Sequence, residues 1–200
     1  MSTVSTSSSR SEPTTATRPT RRTRWAFASA LAYTWAMMIL LGAIVLETVM
    51  IYPNIFADPP ASLDLTMAFF SVTGPSDFFP PLGFASWVLG AAALVLCWRH
   101  RRVRWLLVLS LAMVVAEGVA SITYFWPRND IMFVEGSAVH SAETLVRTAT
   151  EFETWHWRSR MAFNLISAVA AFLAFTAAHR RLVEEGGQSG PDVEKHRPGN

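Results

Sequence analysis

Apolar residues along this chain gather into long unbroken runs, and polar residues are left to the spaces between them. The runs extend from Trp25 to Ile51, from Leu82 to Trp98, from Val103 to Phe125 and from Met161 to Ala178. A helix needs about 20 mostly apolar residues to cross a ~30 Å hydrocarbon core, so each run predicts a membrane-spanning helix. The second is near the short limit, but Asp77 and the Pro80–Pro81 pair suit a helix entrance and would let it begin earlier. The first run is too long for the core of a signal peptide and is expected to be retained. The predicted fold is all-α: a bundle of four transmembrane helices over residues 25–180, with helices at about 25–51, 82–98, 103–125 and 161–178.

Residues 1–24 carry Ser, Thr, Pro and Arg with almost nothing apolar, and residues 181–200 are polar and bear Gly and Pro. Neither can bury enough surface to offset the entropy of ordering, so both are expected to be disordered tails. Two loops remain, at about 52–81 and 126–160. Within the second, residues from about 138 onward read as helix continuing into the last span, with Ser141 and Glu143 as its start.

Charge orients the bundle. Arginines cluster before the first helix (Arg18, Arg21, Arg22, Arg24), between the second and third (Arg99, Arg101, Arg102, Arg104) and after the fourth (Arg180, Arg181). All three sites fall on one side, so the positive-inside rule predicts cytoplasmic termini and two extracytoplasmic loops. Those loops hold Asp58, Asp64, Asp77, Asp130, Glu135, Glu143, Glu151 and Glu153. The chain is 51% hydrophobic and only 16% charged, against about 25% charged in a soluble domain. A multi-pass protein of the cell membrane follows. Lys195 is the only lysine among 17 basic residues, which fits a GC-rich bacterial genome.

Polar groups inside apolar runs are costly and usually face the bundle interior. Glu47 lies about 6 Å below the outer end of the first helix, and Glu117 about 12 Å below Phe125. Ser110, Glu117, Ser121 and Tyr124 recur at helical spacing on the third helix. Glu153, His156, Arg160, Asn164 and Ser167 do so on the fourth. Both stripes rise toward the same surface and predict a shared polar pocket opening outward. Arg160 and Arg158 are the countercharges for Glu117 and Glu47, with His156 and Asn164 as hydrogen-bonding partners. Pairs of this kind also do nothing more than fix how helices dock. Trp126, Trp155 and Trp157 read as interfacial anchors.

Several classes fall away. The one cysteine, Cys97, excludes an intramolecular disulfide and a CxxC motif. The five histidines sit in loops, tails or helix ends, where they cannot hold a haem between facing helices, and no recognised metal-ligand spacing occurs. No phosphate-binding loop, GxSxG or nucleic-acid signature is present. The cytoplasmic halves of the helices are almost purely apolar, which denies a transporter its through-going polar path.

The order of "LLGAIVLETVMIYPNIF", "FWPRNDIMF" and "TWHWRSR" resembles the anthrone oxygenase-like family of small four-helix membrane proteins. A proline closes helix 1, an Asn-bearing turn follows helix 3, and a Trp/His–Arg cluster precedes helix 4. The resemblance covers about 25–180 and implies cofactor-independent oxygenation of anthrones to anthraquinones. It carries over Asn129, Trp155, His156 and Arg160 as polar positions. The chain departs from the pattern at Arg128, where an apolar residue is more usual.

Two readings therefore stand. In the first the protein is a cofactor-free monooxygenase acting on a phenolic or polyketide substrate. Glu117 or His156 is then the base and Arg160 with Asn164 holds the oxyanion, while Glu47, Ser121, Tyr124, Asn129 and Trp155 contact the small aromatic substrate. In the second it is a non-catalytic accessory protein whose buried Glu and Arg groups only fix packing, and whose partner is another membrane protein or a second copy of the chain. Both place it in the lipid bilayer without cofactor, metal or nucleic acid.

Overall fold

The computed structural model describes residues 21–187, and among them every regular element is helical. The architecture is carried by α1 (Arg21–Ile55), α2 (Ala61–Phe69), α3 (Pro75–Leu96), α4 (Arg101–Val139) and α5 (Ala142–Arg181, with helical turns running on to Gly187). All but α2 are long and apolar enough to cross a membrane. α1 packs on α3 and α5, and α4 packs on the same two, so the spans close into a ring. Exposed tryptophans mark both ends: Trp25, Trp98 and Trp105 at one, Trp126, Trp155 and Trp157 at the other. On α4 the two levels, Trp105 and Trp126, are about 31 Å of helix apart, the thickness of a hydrocarbon core.

The helix limits differ from those expected, each for a local reason. α3 begins at Pro75 because Gly74 N–H donates to the Asp77 carboxylate (2.8 Å) and Pro75 takes the first helical position, where a missing N–H costs little; Pro80 and Pro81 lie inside the helix. α1 includes residues 21–24 and α5 continues beyond 180, so the predicted tails are shortened; residues 1–20 and 188–200 lie outside the described residues. α5 begins after Ser141, whose hydroxyl accepts from Thr144 N–H (3.3 Å).

The largest correction concerns the two loops. α1 runs through Pro53 and α4 runs through Pro127, although proline lacks an N–H and its ring strikes the carbonyl four residues back. In both helices a π-helical turn immediately precedes the aromatic–proline pair: Glu47–Ile51 before Tyr52–Pro53, and Ser121–Phe125 before Trp126–Pro127. Tyr52 N–H bonds to the Glu47 carbonyl and Trp126 N–H to that of Ser121, five residues back. The wider turn lets the helix pass the proline without ending. Further π turns occupy Asp130–Glu135 and His156–Arg160. At Gly136 the backbone takes φ 55, a conformation that side chains with a Cβ rarely adopt, and the chain turns toward α5.

α1, α4 and α5 thus continue past the second tryptophan level and, with α2, build a head on the bundle. Two apolar cores result. One, within the spans, gathers Tyr33, Met37, Leu40, Ile44, Leu107, Val114 and Ala171. The other, in the head, gathers Ile55, Leu63, Phe125, Met132, Leu145 and Phe152. Between them lies a buried polar layer of Glu47, Thr48, Glu117, Ser121, His156 and Arg160. The lower half is less purely apolar than the sequence indicates. Tyr33 Oη and Ser110 Oγ are 2.7 Å apart, Ser110 Oγ–H donates to the Ser167 carbonyl (2.7 Å), and Ser167 Oγ–H returns a bond to the Ser110 carbonyl (2.8 Å). This knot ties α1, α4 and α5 together.

α3 meets α4 where the edge of the Trp87 ring abuts Gly118. A Cβ at Gly118 would come within 2.4 Å of the Trp87 ring, whereas one at Gly42 would meet nothing within 4 Å. Gly118→Ala is expected to lower stability in detergent by about 1–3 kcal/mol through overpacking. Gly42→Ala should leave the melting temperature unchanged or slightly raised. Equal melting of the two variants would show that Trp87 does not depend on that contact.

Candidate functional site

Every helix of the ring except α3 contributes to the polar layer, and Arg160 is its hub. Arg160 ends the π turn of α5, is buried, and its Nε–H donates to Glu117 Oε1 at 2.8 Å. The same oxygen accepts from Ser121 Oγ–H at 2.8 Å. The guanidinium lies 5.3 Å from the Phe125 ring centroid and 5.7 Å from that of Phe79, so its faces are shielded from water by aromatic rings. Glu47 also reaches the cavity wall beside Arg160, without forming an ion pair with it. Two buried carboxylates therefore lie near one guanidinium, and Glu117 is the one bonded to it. Arg158, the expected partner of Glu47, is exposed, since residues two apart on a helix do not share a face.

The π turn of α1 decides what Glu47 touches. Its Oε2 accepts a 3.2 Å bond from the Tyr52 hydroxyl, five residues on. In an α-helix residues five apart diverge by about 140°, whereas a wider π turn returns them to nearly one face. Next to Glu47, the Thr48 hydroxyl donates to the Ile44 carbonyl (2.5 Å), so its oxygen accepts from His156 Nε2–H (2.8 Å). That fixes the histidine tautomer and leaves His156 Nδ1 without a partner among the described residues. The ring of His156 is fully buried, with Tyr52 packed edge-on at 4.6 Å and Phe152 stacked on it. Because Thr48 adjoins Glu47 and His156 opens the turn that Arg160 ends, this one hydrogen bond clamps the two π turns together.

Beside the layer is a cavity of about 630 Å³, within the range of small-molecule sites. Its walls come from the end of α1, the inner face of α2, the start of α3 and residues 126–134 of α4. Aromatic side chains dominate: Tyr52, Phe70, Phe79, Trp126 and Phe133. Glu47 and Arg160 reach it from the polar layer, Asn129 lies on the α4 wall, and Asp77 and Asp130 stand on the α3 and α4 sides.

Of the residues singled out in the sequence, Glu47, Arg160 and Asn129 line this cavity. Glu117, Ser121, His156 and Asn164 do not; they stand behind Arg160 and hold it. Asn164 Nδ2 donates to the Arg160 carbonyl (3.0 Å), and its Oδ1 has no partner among the described residues. Tyr124 and Trp155 sit elsewhere. Tyr124 lies under the Arg128 guanidinium (3.6 Å to the ring centroid) and edge-on to Trp155, which is exposed. Arg128 in turn pairs with Glu151 at 3.1 Å. The departure from the family pattern at Arg128 thus has a partner of its own outside the cavity. Thr48, Tyr52 and Phe79 were missed. Only the proximity of Thr48 and Tyr52 to Glu47 could have flagged them, and Phe79 carries no signal beyond its neighbouring prolines. No group of three or more His, Cys, Asp or Glu positioned to hold a metal occurs among the described residues.

Removing one member of a buried ion pair leaves an uncompensated charge, at about 3–5 kcal/mol. Glu117→Gln leaves Arg160 with Glu47, whereas Arg160→Gln strands two carboxylates. Arg160→Gln is therefore expected to be the more damaging in detergent melts, and Glu117→Gln/Arg160→Gln milder than Arg160→Gln alone. Additive losses would show that the two side chains do not share their charge.

Comparison of the chain with family models, with curated proteins and with solved structures gives no match.

Proposed function

We propose that this is a multi-pass enzyme of the cell membrane that oxygenates a small phenolic or polyketide-type aromatic without a cofactor, in the cavity beside Arg160. The observation that carries the reading is that Glu47 and Arg160, a carboxylate and a guanidinium, both reach the wall of one cavity of about 630 Å³ that also carries aromatic rings. Glu47 is the carboxylate with fewer fixed partners, a single Tyr52 hydroxyl, and is placed to act as a base. Arg160, locked by Glu117, is a preorganised donor for an oxyanion.

The resemblance noted in the sequence supplies the chemistry. Glu47 takes a proton from a methylene flanked by aryl rings, and the enolate oxygen that results is held by Arg160. Dioxygen adds at that carbon, and the proton returned to it gives a hydroperoxide. Loss of water leaves a new carbonyl. One oxygen atom enters the product and the other leaves as water, so dioxygen is the only oxidant required. In this scheme Glu117, Ser121, His156 and Asn164 position Arg160, and Asn129 offers a polar contact to the substrate.

A second reading, that of a non-catalytic accessory protein, is favoured by the tightness of the Glu117–Arg160–Ser121 group, which leaves no space between its members. The cavity beside it is what favours the enzyme, since helix docking alone has no need of one.

Two measurements test this. Cysteine labelling from outside the cell should reach positions near Asp64 and Ala142 and should not reach positions near His100, as the arginine pattern requires; outside labelling of the 99–104 turn would invert the topology and turn the cavity toward the cytoplasm. Membranes containing the protein should consume oxygen on an anthrone-like substrate, and Glu47→Gln should lower the rate about 10²–10⁴-fold. Wild type equal to empty membranes across a panel of such substrates would favour the accessory role. Turnover by wild type with Glu47→Gln unimpaired would remove Glu47 as the base.

A further inference from the structure

α2 is apolar on both its inward and its outward face. Leu63 is buried in the head, and Thr66, Met67 and Phe70 turn toward the cavity as part of its wall. On the opposite face Leu65 and Phe69, four apart, are 72% and 79% exposed, and Val72, in the bend that follows α2, is 90% exposed. A row of apolar side chains this open is a surface that needs covering.

Position identifies the cover. The segment bearing α2 leaves α1 after Ile55 and rejoins the bundle at Pro75, the start of a membrane span. Trp126, one of the exposed tryptophans marking the membrane level, lies on the cavity wall itself. The cavity mouth is therefore at interfacial depth. Along that wall α3 and the upper stretch of α4 stand apart. Residues 130–139 of α4 pack on α2, and α3 packs on the lower part of α4. Val134, which also lines the cavity, is 72% exposed at the gap. A short helix whose outward face is apolar and whose two ends are tethered at the interface lies in the interface plane, with that face among the lipids.

We propose that the Leu65–Phe69 face of α2, with Val72 in the bend that follows it, rests in the adjoining leaflet of the bilayer, so that the cavity opens sideways to lipid beneath α2 and takes a membrane-dissolved amphiphilic aromatic rather than a water-borne one. This deepens the reading of the cavity as a substrate site and rests on it for the identity of the occupant. The lipid contact of α2 stands independently. Entry from lipid suits the walls: aromatic rings receive the apolar body, while Glu47 and Arg160 meet its polar end in the layer behind them.

The test uses the full-length protein in nanodiscs with Cys97, which is buried, replaced by Ala. Spin labels at Phe69→Cys and Val72→Cys should be relaxed several-fold more by oxygen than by a water-soluble nickel chelate, and a label at Ser141→Cys, on the tip of the α4–α5 hairpin, should show the reverse. A bimane at Thr66→Cys, on the cavity wall, should be quenched by phospholipids carrying a nitroxide and spared by aqueous iodide. Nickel relaxing positions 69 and 72 as it does 141, or iodide alone quenching position 66, overturns the proposal. Neither readout involves turnover, so an inactive protein with lipid-facing labels would dismiss the oxygenase and keep the lateral mouth. An active protein with water-facing labels would do the opposite.

Discussion

A guanidinium placed where three helices meet below a membrane surface must find carboxylates, because neither water nor lipid can solvate it there. Arg160 meets this constraint with Glu117 from α4, which fixes the rotation of that helix against α5, while the Thr48–His156 bond ties α1, with Glu47 nearby, to the same layer. The shielding rings follow from the same demand. Phe79 at the start of α3 and Phe125 on α4 cover the guanidinium faces, so all four spans become committed to one layer. The cavity lies along the part of this group that remains unenclosed, where Glu47 and Arg160 reach its wall.

That arrangement depends on π turns as much as on charge. Three of them stand at the level of the polar layer, one in each of the helices that supply it. Each inserts an extra residue and rotates everything beyond it, which brings Tyr52 over Glu47 and separates Arg160 from Arg158. Two of the turns also absorb the prolines that would otherwise end α1 and α4. Absorbing the prolines lets the helices continue past the second tryptophan level and form the head, and the head closes the cavity. A device that solves a backbone problem thus also makes the site, and the Thr48–His156 bond holds two such turns in register.

The same geometry separates residues that line the cavity from residues that stand behind them. Glu117, Ser121, His156 and Asn164 are buried and linked to one another's helices without touching the cavity, which suits preorganisation of Arg160. Glu47, Arg160 and Asn129 face the open space. Tyr124 and Trp155 belong with Arg128 and Glu151 to a surface cluster on the head. The exposed face of α2 extends the division to the outside of the molecule: one face of a short helix encloses the site, and the other supplies the apolar contact surface beside it.

What the sequence determined by itself is what depends on neighbours a few residues apart. The four apolar runs followed from length and hydropathy. Burial of Glu47, Glu117, His156, Arg160, Asn164 and Ser167 followed from helical periodicity, which stays correct on either side of a π turn. The Ser141 and Asp77 caps are local as well. Tertiary structure decided the rest. By local rules Pro53 and Pro127 end helices, and only packing against α2 and α5 makes it favourable to widen a turn and continue. Spacing put Arg160 on the polar stripe and Arg158 off it, but that Arg158 meets no buried carboxylate at all was decided by packing, which turns it outward. The Thr48–His156 bond joins residues 108 positions apart. The cavity is a gap between α3 and the upper part of α4, so no stretch of the chain could have announced it: a void exists only in how separate elements fail to meet.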